Sequence, residues 1–101
     1  MNIGKVKDFL DELGIKTDGL KVGAREAVLT IKNSNEFSRI HSKLSDSDLV
    51  DLDIEDVDIN EDSSHLVYLA DDYDIYLDAD YDKDEYTLKL EEVLIEANSK
   101  R

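Results

Sequence analysis

Between Asp46 and Glu85 acidic and aliphatic residues alternate, and that alternation restricts the segment to a half-buried β-sheet. Seventeen acids against the single base Lys83 leave these forty residues at a net charge of −16. A solvated acidic tail is poor in aliphatic residues. Here Leu49, Val50, Leu52, Ile54, Val57, Ile59, Leu66, Val67, Leu69, Ile75 and Leu77 are threaded between the acids, with Tyr68, Tyr73, Tyr76 and Tyr81. The expected picture is a sheet with one face in a core and the other carrying negative charge.

A chain of 101 residues makes one domain, spanning 1–101, with room for a single core but not for a large buried cleft. Its net charge of −14 exceeds what solubility needs, because self-repulsion at that level opposes compaction. The charge is also lopsided. Residues 1–43 carry eight bases and six acids, whereas residues 44–101 carry four bases and twenty acids. Asymmetry of this kind points to a charged partner, here a basic one. The absence of cysteine removes disulfides, thiolate metal sites and thiol nucleophiles. No apolar run approaches a membrane span and the N-terminus has no signal-peptide core, so a soluble cytoplasmic protein is expected.

In chain order, Ile3, Val6, Leu10 and Leu13 form one apolar stripe, with Phe9 beside it, and predict a helix over 2–13 closed by Gly14. Two short strands or one interrupted strand follow around Gly23, the better segment running from Ala27 to Lys32. Asn33 or Ser34 can cap a second helix, with Glu36 three residues after Asn33 completing a capping-box spacing, and Phe37, Ile40 and Leu44 form its apolar stripe. His41 beside that stripe reads as a partly exposed helix residue. His65, the other histidine, stands next to Ser63 and Ser64, and the pair forms no metal or nucleophile constellation.

Val50, Leu52 and Ile54 then share one strand phase, with Asp51, Asp53 and Glu55 opposite. The phase slips at Glu55-Asp56, where a β-bulge would keep Val57 and Ile59 in the core with the first set. Asn60 to Ser64 is an expected turn, and His65 to Ala70 a strand. A hairpin follows: Tyr73 to Tyr81 alternating with Asp72, Asp74, Asp78 and Asp80, then the loop Asp82 to Glu85, then Tyr86, Leu88 and Leu90 returning. Glu91 to Ala97 fits either a continuing strand or a short final helix, and the helix is the preferred reading. The expected architecture is α+β, with two N-terminal helices packed on an antiparallel sheet built mainly from residues 27–90 and acidic on its outer face.

The chemistry of that face points to protein binding. Same-face strand residues lie about 6.6 Å apart and neighbouring strands about 4.8 Å apart, so files of Asp present charge on the scale of a nucleic-acid backbone. The carriers expected are Asp51, Asp53, Asp56 and Asp58 on one strand, and Asp72, Asp74, Asp78, Asp80, Asp82, Asp84 and Glu85 on the hairpin. Tyr76, in the acidic phase, is the expected aromatic anchor. Size, lack of cysteine, a helix-then-sheet pattern and the Asp-rich strands give the chain a class-level resemblance to small acidic phage-encoded inhibitors that imitate DNA, such as anti-CRISPR and anti-restriction proteins. That resemblance implies a basic nucleic-acid-binding partner (a CRISPR effector, restriction enzyme or nuclease) in the bacterial host cytoplasm, with neither nucleic acid nor membrane bound directly. Acidic immunity proteins or antitoxins that plug a nuclease toxin are the neighbouring alternative.

A cation-binding module is the other class considered. Asp80, Asp82, Asp84 and Glu91 fall at positions 1, 3, 5 and 12 of an EF-hand loop, but Glu85 stands where that loop needs glycine, and no dedicated metal site is expected. No phosphate loop, nucleophile elbow or cofactor motif is present, and no enzymatic activity is expected.

Overall fold

The structure is a computed structural model and describes residues 1–58 and 62–93. Helix α1 spans Ile3–Glu12 and buries Val6 and Leu10. The Asn2 side chain accepts from the Lys5 N–H at its start. Its end is a Schellman motif: Gly14 N–H donates to the Asp11 carbonyl and Ile15 N–H to the Leu10 carbonyl, with Gly14 at φ 77°. Strands β1 (Lys21–Val22) and β2 (Glu26–Ile31) follow. Helix α2 (Ser34–Asp46) starts at Asn33, whose side chain accepts from Glu36 N–H, and buries Phe37, Ile40 and Leu44. The chain then runs through β3 (Asp51–Asp58), β4 (Ser63–Leu69), β5 (Tyr73–Asp80) and β6 (Glu85–Glu92).

These strands make one six-stranded sheet in the order β1-β2-β6-β5-β4-β3, and every pairing is antiparallel. The chain is therefore α+β. Its second helix lies between β2 and β3 rather than ahead of the sheet, so β2 reaches its place beside β6 across α2 and three further strands. One face of the sheet supplies Ala27, Leu29, Ile31, Leu66, Tyr68, Tyr73, Ile75, Leu77, Tyr86, Leu88 and Leu90 to a single core with the buried stripes of both helices. Ala27, Ile75, Leu77, Leu88 and Leu90 are fully buried there. Each side chain of Leu or Ile size so placed stabilises the fold by about 1.5–3 kcal/mol relative to exposure. Phe9 stacks at a tilt on Tyr73, and Phe37 packs against Tyr81 and Tyr86, fixing each helix to its own part of the sheet.

Three expectations need correction. The bulge in β3 lies at Asp53, between the pairs Leu52–Tyr68 and Ile54–Val67, and not at Glu55-Asp56. Leu52 therefore takes the core side and Ile54 the opposite one, instead of both facing the core. The proposed turn ends before Ser63 and Ser64, which already pair in β4. Glu91 and Glu92 are extended in β6, because Glu91 is held in register between Glu26 and Asp74. The remainder of the expected final helix, from residue 94 on, lies outside the described residues, as do Ile59, Asn60 and Glu61.

Candidate protein-interaction face

Register decides what the helix-free face of the sheet presents, because residues directly opposite on neighbouring strands point to the same side. Three cross-strand rows follow from the pairings. The first runs Glu26, Glu91, Asp74, Leu69, Asp51. The central one runs Lys21, Val28, Lys89, Tyr76, Val67, Ile54. The third runs Thr30, Thr87, Asp78, His65, Asp56. Beyond the third, Glu85 stands opposite Asp80, and Asp80 opposite Ser63. Carboxylates thus flank a central row that holds Val28, Tyr76, Val67 and Ile54 with two lysines, Lys21 and Lys89, the rows being about 7 Å apart along the strands.

Tyr76 sits at the middle of this arrangement. Lys89 Nζ lies 5.1 Å from the centroid of its ring and 3.1 Å from Glu91 Oε1. The His65 ring lies near-parallel to that of Tyr76 at 6.5 Å between centroids, and His65 Nδ1 is paired with Asp78 Oδ1. Desolvation, then the nearby Glu91 and Asp74 carboxylates, raise the Tyr76 hydroxyl pKa above its ordinary value. Hydrogen bonding to Glu91 raises that of Lys89. Val67 is 6% exposed although it lies on the face away from the main core.

Not all the residues expected to carry function come together. Asp51, Asp56, Asp74, Tyr76, Asp78, Asp80 and Glu85 share the helix-free face by register, and Asp58 holds the position opposite Ser63. Asp53 is the extra residue of the bulge. Asp72 ion-pairs with Lys5 of α1 at 3.4 Å, which ties it to the helix side. Asp82 and Asp84 sit in the tight turn between β5 and β6, where Asp84 has φ 56° and accepts a hydrogen bond from the Tyr86 hydroxyl at 2.9 Å. At that same end of the sheet, Tyr81 N–H donates to the Asp62 carbonyl, drawing the turn before β4 against the β5–β6 turn. The Asp62 carboxylate is the chief cause of a raised pKa at Asp82, followed by slight burial, a hydrogen bond to Asp62 and the charge of Asp80. In the EF-hand spacing, Glu91 lies opposite Asp74, about 20 Å along β6 from Glu85, so it cannot converge with Asp80 on one ion.

Sequence reasoning missed Glu26 and Glu91, side by side at one end of the first row, Asp62 at the turn, and the apolar centre. One signal for that centre was present. Leu66-Val67-Tyr68-Leu69 is an unbroken apolar run, and a strand must turn half of such a run to each face. Leu66 and Tyr68 take the core, leaving Val67 and Leu69 outside.

No protein-family model matches this chain, and no curated protein or solved structure was found to be similar to it. Among the described residues no cluster of three or more His, Asp or Glu is arranged to hold a metal ion, and no helix is long and apolar enough to cross a membrane.

Proposed function

We propose that the protein is an inhibitor that binds the basic nucleic-acid-binding surface of another protein, with the acidic, helix-free face of its sheet standing in for a phosphate backbone. The observation that carries this reading is the register: it sets Asp51, Asp74 and Glu91 on one side of Tyr76, and Asp56, Asp78 and Asp80 on the other. Carboxylates on neighbouring strands stand at strand spacing and repeat along each strand at twice the residue rise, a charge density suited to a groove lined by Lys and Arg. Short Asp side chains on a paired backbone lose little freedom on binding, which lowers the ordering cost of the complex. An apolar and aromatic centre ringed by charge also matches the anatomy of protein interfaces, where a desolvated anchor dominates affinity and the rim steers approach.

This reading places the protein beside the acidic phage inhibitors of bacterial nucleases in function, acting in the host cytoplasm on a CRISPR effector, restriction enzyme or nuclease. Charge-neutral replacement tests it. The triple variant Asp74→Asn, Asp78→Asn, Asp80→Asn keeps side-chain size and should fold at least as well as the parent. Its binding to the basic partner should be weakened by more than tenfold, and binding by the parent should fall steeply between ~50 and ~200 mM salt. Unchanged affinity in the triple variant rejects the face.

A further inference from the structure

Strand β3 forms one margin of the sheet, with β4 on one side and no described strand on the other. Residues Asp51 to Asp56 are all exposed. Large apolar groups gather there on both faces: Leu52 is 48% exposed on the core side, Ile54 47% and Leu69 40% on the opposite side, and Leu49 45% just before the strand. An edge strand leaves every second N–H and C=O without a ladder partner. Half-exposed aliphatics beside a row of unmet backbone groups are what an added strand covers.

We infer that this edge takes up an antiparallel β-strand from a basic partner, extending the sheet beyond β3. The inference deepens the proposed function and rests on it for the basic character of the partner. Charge selects the occupant. A second copy pairing through β3 would bring Asp51, Glu55 and Asp56 against their own kind, and like charges directly opposite oppose strand pairing. A strand bearing Lys or Arg meets the same acids favourably.

The register also dictates the partner's pattern. Along β3 the added strand meets Asp56 on the outer side, Glu55 on the core side, Ile54 outside, Leu52 on the core side and Asp51 outside, with Asp53 looped out of the ladder. An antiparallel segment reading basic, basic, apolar, apolar, basic satisfies all five positions. The two adjacent apolar residues point to opposite faces, one covering Ile54 and the other Leu52.

The test uses the full-length protein and a synthetic peptide centred on Lys-Lys-Val-Val-Lys, followed by amide chemical shifts and hydrogen exchange. The expected result is saturable binding that shifts and protects amides from Asp51 to Asp56. It should weaken at least tenfold when the peptide lysines become glutamates, and likewise in the variant Leu52→Lys, Ile54→Lys. Both replaced residues are half exposed, so that variant should fold, and its native amide spectrum is the control. The inference is overturned if the peptide leaves Asp51 to Asp56 unperturbed, or if the glutamate peptide binds equally well. It is also overturned if the edge instead supports a concentration-dependent dimer that Leu52→Lys, Ile54→Lys abolishes. Because the peptide assay needs no partner, its failure leaves the acidic face to be judged separately by the triple Asn variant.

Discussion

Ile54 pairs with Val67 on the helix-free face, whereas Leu52, two residues earlier, pairs with Tyr68 on the core face. The bulge at Asp53 makes this possible: in a regular strand, two residues of separation would return the side chain to the same side. The bulge therefore places an apolar group in Tyr76's row that simple alternation would have sent to the core. Deleting Asp53 should leave Leu52–Tyr68 and Ile54–Val67 as consecutive regular pairs. The expected outcome is an unchanged cross-strand pattern of backbone nuclear Overhauser contacts, with Tm shifted by only a few degrees. A wholesale change of pairing partners in β3 would contradict the assigned register.

Tyr76 is the second point of attack, because it is at once a cross-strand partner of Lys89 and Val67 and the anchor of the proposed interface. Tyr76→Ala should reduce stability by about 1 kcal/mol through the lost cross-strand pairs. Its cost to partner binding should be larger, about 2 kcal/mol or roughly thirtyfold. Calorimetric unfolding and an affinity titration on the same sample separate the two effects.

Crowding of like charge at the turns gives a pH dependence with a definite sign. Asp82 has its pKa raised above the ordinary 3.8, chiefly by Asp62. A carboxyl raised in the folded state binds protons more tightly there than in the unfolded chain, so stability falls as pH rises through the folded value. Tm should therefore increase as the pH is lowered from neutral toward the ordinary Asp value of 3.8. Asp82→Asn should raise Tm at neutral pH and flatten that dependence. A Tm that drops over the same range would contradict the assignment.

Most of the fold was legible because local signals and tertiary packing agree. Gly14 ends α1, Asn33 starts α2, and the alternation from Tyr73 to Asp80 puts Tyr73, Ile75, Leu77 and Ala79 in the core. What escaped depends on strand neighbours, which sequence does not reveal. Glu91 is extended because Glu26 and Asp74 flank it, although its local pattern suits a helix. The bulge lies two to three residues before the position that the apolar pattern suggests, because only pairing with β4 chooses Asp53. Within the site, Asp74, Asp78 and Asp80 were readable from alternation alone. Asp72 was not, because its ion pair with Lys5 depends on where α1 docks.

Gly14 provides a check on the helix side. At φ 77° any L side chain is strained, and a Cβ there would lie 2.9 Å from Lys43 Nζ. Gly14→Ala should destabilise the fold by roughly 1 kcal/mol, with the flexible Lys43 side chain moving aside. Denaturant unfolding measures this, and partner affinity should not change, since Gly14 is on the layer opposite the acidic rows.

The most direct measurement is a pull-down from bacterial lysate with the tagged protein, run in parallel with the triple Asn variant, excess duplex DNA and EDTA. The account predicts capture of a basic nucleic-acid-binding protein by the parent, released by duplex DNA, indifferent to EDTA and absent with Asp74→Asn, Asp78→Asn, Asp80→Asn. Capture that survives both the DNA and the substitutions, or that EDTA abolishes, would contradict it.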